Sequence, residues 1–136
     1  MAFEHNLQAL IIPGEEETDA AAADHFTWKP EKPLIVRDFG FIISEAVVNT
    51  STAAVVSLDH TPSGGSRTEK ATLSITDGTA VGVEFVSYEA GTPLTPFFVE
   101  EGDTLHFEHK TQGAGGTTTG KGYYVLYYEW IPDGSI

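Results

Sequence analysis

The chain has no cysteine, one methionine, only seven basic residues and no apolar run of the length that crosses a bilayer. Without cysteine there is neither a disulfide staple nor a thiol nucleophile, which fits synthesis in a reducing compartment. Seven basic against 20 acidic residues leave a formal net charge of -13, and no Lys/Arg cluster offsets it. A phosphate backbone would repel such a chain, so no nucleic-acid partner is expected. A bilayer-spanning helix needs about 18 or more apolar residues in a row, so no membrane partner is expected either. The opening MAFEHNLQAL carries Glu4 and no basic cluster, so it does not read as a secretory signal.

What is present points to strands. The 136 residues are about one domain's worth, and 40% hydrophobic content suits a packed core. Thr, Val and Ile supply a quarter of the chain, with 15 aromatics beside them. Side chains branched at Cβ and aromatic rings fit a pleated surface better than a helix. Fourteen glycines and seven prolines punctuate the whole length. The expected class is all-β: a two-sheet antiparallel sandwich, most simply a jelly roll, preceded by an extended N-terminal arm.

Two regions differ in composition. Residues 1–33 hold Glu4, Glu15, Glu16, Glu17, Asp19 and Asp24 with no basic residue before Lys29. Leu7–Ile12 reads as one short strand broken by Pro13-Gly14, and Trp28-Lys29-Pro30-Glu31-Lys32-Pro33 as a stiff connection. This region is expected to be an acidic arm whose apolar residues, Leu7, Leu10, Ile12, Phe26 and Trp28, contact a neighbouring chain. Residues 34–136 are expected to form the sandwich, with Gly40 as a bend in the first strand. Ala71–Thr76 and Thr104–Lys110 alternate cleanly, setting Leu73 and Ile75, then Leu105 and Phe107, inward. Thr111–Lys121 reads as a long flexible hairpin loop. The last strand, Gly122–Ile131, breaks the alternation because both of its faces are apolar or aromatic. A single-core β-domain needs only one such face, so Tyr123, Val125, Tyr127, Tyr128 and Trp130 are expected at a subunit interface.

The chemistry-bearing residues are sparse. His106-Phe107-Glu108-His109 contains metal-ligand types, but period two puts His106 and Glu108 on one face and His109 on the other. That is at most half a site, so no metal or cofactor is expected. No G-x-S-x-G elbow is present, and the acid pairs fall in loops or the arm, so no enzyme is expected. The aromatic residues leave open a sugar-stacking platform as an alternative to a subunit interface.

Three short segments resemble a known family. Leu73-Ser74-Ile75-Thr76-Asp77-Gly78-Thr79-Ala80-Val81-Gly82-Val83, the turn Val99-Glu100-Glu101-Gly102-Asp103-Thr104-Leu105, and the Gly/Thr loop before Gly122-Tyr123-Tyr124 are similar to segments of tailed-bacteriophage capsid decoration (cement) proteins. The resemblance spans residues 34–131. It implies a jelly-roll homotrimer, made in the bacterial host cytoplasm and located on the outer capsid surface of the virion. It further implies that the major capsid protein and sister copies are the partners, and that capsomer contacts are stabilised. A carbohydrate- or receptor-binding module of a phage tail or fibre is the alternative.

Overall fold

The computed structural model describes residues 7–14, 23–89, 93–116 and 118–132. Its strands are β1 (Leu7–Gly14), β2 (Ala23–Trp28), β3 (Leu34–Ile43), β4 (Ala54–Thr61), β5 (Thr68–Ile75), β6 (Glu84–Val86), β7 (Phe97–Val99), β8 (Thr104–Thr111) and β9 (Gly122–Trp130). One 3-10 turn, Ser87–Glu89, follows β6. All strand pairs are antiparallel. One sheet runs β1-β9-β3-β6, with β7 also on β3, and the other runs β2-β8-β4-β5.

That order is a chain folded in half and then wound up. β1 pairs β9, β2 pairs β8, β3 pairs β6 and β7, and β4 pairs β5. Consecutive strands near the two ends alternate between sheets, which is the jelly-roll arrangement. The fold class is therefore the expected one.

The N-terminal region departs from expectation. Its described residues do not form an arm standing off the sandwich: β1 and β2 are the first strands of the two sheets. Ile12 lies opposite Tyr124, and Trp28 opposite Leu105. Both join the interior, Ile12 as a buried residue and Trp28 packed against the core. Residues 15–22, the acidic part of the expected arm, lie outside the described residues.

The core is aromatic at its centre. The Tyr124 ring stacks on Phe39 at 6.2 Å and meets Phe41 and Phe107 edge-on at 5.2 and 5.8 Å. Such offset and edge contacts match the positive ring edge to the negative face. Leu105, Phe107, Leu73 and Ile75 are buried as the alternation predicts. β3 runs through Gly40, the expected bend, as one continuous strand, and its register irregularity lies between Val36 and Asp38. The Gly/Thr stretch is not a free hairpin loop either. Thr118 bridges to Val48 and Ala114 to Thr52. The glycines permit this approach, since a Cβ on Gly116 would sit 1.8 Å from the Val48 carbonyl oxygen.

Candidate interaction surface

A two-sheet sandwich has two inner faces, which make the core, and two outer faces. Period two assigns every strand residue to one of them. In the sheet of β1, β9, β3, β6 and β7, residues opposite the buried Tyr124 and Leu126 point inward. The outward set is therefore Leu7, Ala9 and Ile11 of β1 and Tyr123, Val125, Tyr127 and Glu129 of β9. Ile35, Asp38, Gly40 and Ile42 of β3, Glu84 and Val86 of β6, and Phe98 of β7 complete it. Most of these side chains are apolar. Phe98 is 63% exposed, Ile11 58%, Leu7 53% and Tyr123 41%. Ile35, Ile42, Val86 and Tyr127 are half-buried around them.

Two pairs of polar groups on this side of the sheet are joined to each other. Arg37 Nε and Nη2 donate to Glu129 Oε2 at 2.9 and 2.7 Å. The Tyr127 hydroxyl donates to Glu84 Oε2 at 2.5 Å. That bond reaches from β9 over β3 to β6, and Gly40 keeps the path clear: a Cβ there would lie 2.6 Å from Glu84 Oε2. Burial first, and the Glu84 carboxylate second, push the Tyr127 hydroxyl up to about 12.

The opposite outer face is polar. There Arg67 is a hub: Nη1 and Nη2 grip both oxygens of Asp24 at 3.0 and 2.6 Å, and Nε donates to Asp59 Oδ2 at 2.6 Å. Nη2 also reaches Glu108 Oε2 at 3.1 Å, and Ser57 donates to the other Glu108 oxygen. The Arg67 guanidinium holds the Asp24 carboxyl below its ordinary range. His106 Nδ1 lies 3.3 Å from Asp24 Oδ2. These contacts fasten β2 to β4 and β8. Two sheets of one molecule thus present unlike faces, one polar and internally paired, the other apolar.

The described histidines have structural partners. His60 Nε2 donates to Asp103 Oδ2 at 2.9 Å, the acceptor being a carboxylate. Burial works to raise Asp103, but the backbone N–H groups of Ser63 and Glu100 and the His60 ring hold it below its usual range. His109, inward on β8, lies 5.3 Å from the His25 ring, and His25 Nδ1 is 3.2 Å from the Tyr124 hydroxyl. His106 and His109 fall on opposite faces of β8. Among the described residues no group of three His, Asp or Glu side chains is gathered to hold a metal ion.

Of the residues expected at a subunit interface, Tyr123, Val125 and Tyr127 face outward on β9, Val125 at only 2% exposure. Tyr128 and Trp130 do not belong with them. They point inward, where their rings meet at 5.2 Å and both contact Trp28. Of the residues expected to reach a neighbour, Leu10, Ile12 and Trp28 serve the molecule's own core, while Leu7 and Phe26 remain exposed. Phe26 leans on Phe107 with ring centroids 6.0 Å apart. Sequence reasoning missed Ile11, Ile35, Ile42, Val86 and Phe98. The signal was the one noticed in β9: Leu34-Ile35-Val36 and Phe41-Ile42-Ile43 also lack a polar residue at every second position.

No protein-family model matches the sequence, and no curated protein matches it. Solved structures with a similar fold include two with the following likeness. One is the core of Drosophila NLP, whose crystal structure is described as giving insight into pentamer formation and histone binding. It is 16% identical, with 93% of this chain and 99% of that chain covered and a TM-score of 0.45. The other is a chain of infectious bursal disease virus, Gx strain, 12% identical, with a TM-score of 0.33; 94% of this chain covers 37% of that one. Both TM-scores lie below 0.5, so neither likeness bears on what this chain does.

Proposed function

We propose that the chain is a non-enzymatic virion structural protein. It decorates the outer surface of a phage head, associating with sister copies as a homotrimer and binding the major capsid protein to stabilise capsomer contacts. The observation that carries this reading is the contrast between the two outer faces. An exposed apolar sheet face, with Glu129 and Glu84 engaged by Arg37 and Tyr127, is the surface expected of a protein that works by being covered. Such a protein acts by mass action. Binding only the assembled shell lowers that state's free energy by RT ln(1 + [L]/Kd) at each site, repeated over many equivalent sites.

The test is quantitative mass spectrometry of purified particles of the source virus, scaling this chain to the major capsid protein. A copy number comparable to that protein's supports decoration. A handful of copies assigns the chain to a tail or fibre, and absence from the particle overturns the virion role. A second reading, a carbohydrate-binding module, draws on the open groove lined by Glu31, Lys32, Trp130, Ile131 and Pro132. An aromatic ring beside polar side chains suits a sugar. A saccharide titration that shifts tryptophan fluorescence would favour it, and a flat titration across a glycan panel would exclude it.

A further inference from the structure

The described histidines divide into two kinds. His60 and His106 are held by other side chains: His60 by Asp103, and His106 by Thr61 on one ring nitrogen and Asp24 on the other. His25 and His109 instead meet each other inside the sandwich. His25 occupies the register shift of β2 between Asp24 and Phe26, the kind of irregularity that re-aims a side chain. Asp24 stays on the outer face in the grip of Arg67, while the His25 ring lies 5.3 Å from that of His109 and 6.1 Å from that of Tyr124. His109 is 4% exposed, and among the described residues no hydrogen bond holds its ring. A Cβ on Gly120 would come to rest 3.6 Å from both Cε1 and Nε2 of His109, so glycine leaves that edge of the ring uncrowded.

These separations are those of ligands around one ion. Zinc–nitrogen bonds of about 2.0–2.1 Å at a tetrahedral angle set two donor atoms about 3.3 Å apart and the centroids of two imidazoles about 5.2 Å apart. His25 Nδ1 and the Tyr124 hydroxyl oxygen are 3.2 Å apart, and the two imidazole centroids 5.3 Å. Burial first, and His25 second, hold His109 unprotonated down to about 4, so its lone pair is available at neutral pH. Burial, then the fields of Glu108 and Asp24, push the Tyr124 hydroxyl above its ordinary value, and the same negative potential favours a cation beside it.

We infer that His25 and His109, with the Tyr124 hydroxyl as third donor, hold a divalent transition-metal ion between the two sheets. Imidazole suits zinc, copper and nickel, whereas magnesium and calcium take all-oxygen sets. His25 and His109 belong to β2 and β8 of one sheet and Tyr124 to β9 of the other, so an ion held by the three ties the sheets together. An ion that binds only the folded chain stabilises it by mass action. This site lies in the interior and does not depend on what the outer faces meet.

The experiment titrates zinc chloride into the full-length chain, with magnesium chloride as the control. Calorimetry is expected to show one zinc ion per chain with a Kd of about 10 μM or tighter. The ring-nitrogen chemical shifts of His25 and His109 should move while those of His60 and His106 stay. His25→Gln is expected to weaken zinc binding at least tenfold, and Tyr124→Phe at least threefold. No binding up to about 1 mM zinc, equal affinity for magnesium, ring shifts confined to other histidines, or an unchanged affinity in His25→Gln overturns the site. An unchanged affinity in Tyr124→Phe removes the hydroxyl from the donor set. The ring shifts are read on the unaltered chain, so a variant that fails to fold does not spare the proposal. Particle copy number reads the proposed function separately, so either can fail alone.

Discussion

Acidification should destabilise this fold through one buried ring. His109 is 4% exposed, and its pKa is pushed down from 6.5 to about 4, first by burial and second by the neighbouring His25. The unfolded chain takes up the proton at the ordinary value while the folded chain resists it. His109 therefore costs the fold nothing above pH 6.5, and stability is lost as pH falls from there towards 4. At about 1.4 kcal/mol per tenfold difference in proton affinity, the full loss is about 3 kcal/mol, with about 2 kcal/mol gone by pH 5. The Asp24 and Asp103 carboxyls, both held below 3.8, give up their contributions only in more acid solution. Urea unfolding at fixed protein concentration, at pH 7.5 and pH 5, reads the loss as a fall in the midpoint. His109→Gln cannot take the proton, so the difference between its loss and the wild-type loss isolates this ring. Equal losses in the two proteins would show that His109 is not the group whose protonation destabilises the fold.

Three further outcomes follow from particular contacts. Phe107→Ala removes a fully buried ring that touches Phe39, Tyr124 and Phe26, and should cost about 3–5 kcal/mol in urea unfolding. Arg67→Ala strands Asp24, Asp59 and Glu108 without their shared cation; with Arg67 partly exposed, the expected cost is about 1–3 kcal/mol. That variant should also speed hydrogen exchange across Ala23–Trp28, and unchanged exchange there would refute the clamp. Glu84→Gln removes the carboxylate beside the Tyr127 hydroxyl, so spectrophotometric titration should show its pKa falling from about 12 towards 10.

Most of the jelly roll was legible where alternation was clean. Leu73 and Ile75, and Leu105 and Phe107, announce their inward faces because polar residues stand between them. β1 and β2 were obscured for physical reasons. LQALII has no period of two, and in β2 the register shift between Asp24 and Phe26 interrupts the alternation that would have marked a strand. Pro13-Gly14 reads as a break, yet at an edge a missing backbone donor is tolerated. The candidate surface was half legible. Two apolar faces on β9 mark a strand that needs two covers, but the pattern does not say which face is the core. Tyr128 and Trp130 could be sorted from Tyr123 and Tyr127 only when Phe41 and Leu34 were found opposite Tyr124 and Trp130. The partnership of Tyr127 with Glu84 spans 43 positions and depends on a glycine between them, which no local pattern encodes.

In the proposed function, sister copies cover the apolar outer face carrying Tyr123. Native mass spectrometry of the full-length chain, diluted from micromolar to nanomolar concentration, tests it against a Tyr123→Glu/Ile42→Glu variant whose circular dichroism matches the wild type. A discrete oligomer, expected as a trimer, should persist in the wild type and fall to monomer in the variant. A wild-type monomer at every concentration, or an oligomer the variant leaves intact, would contradict it.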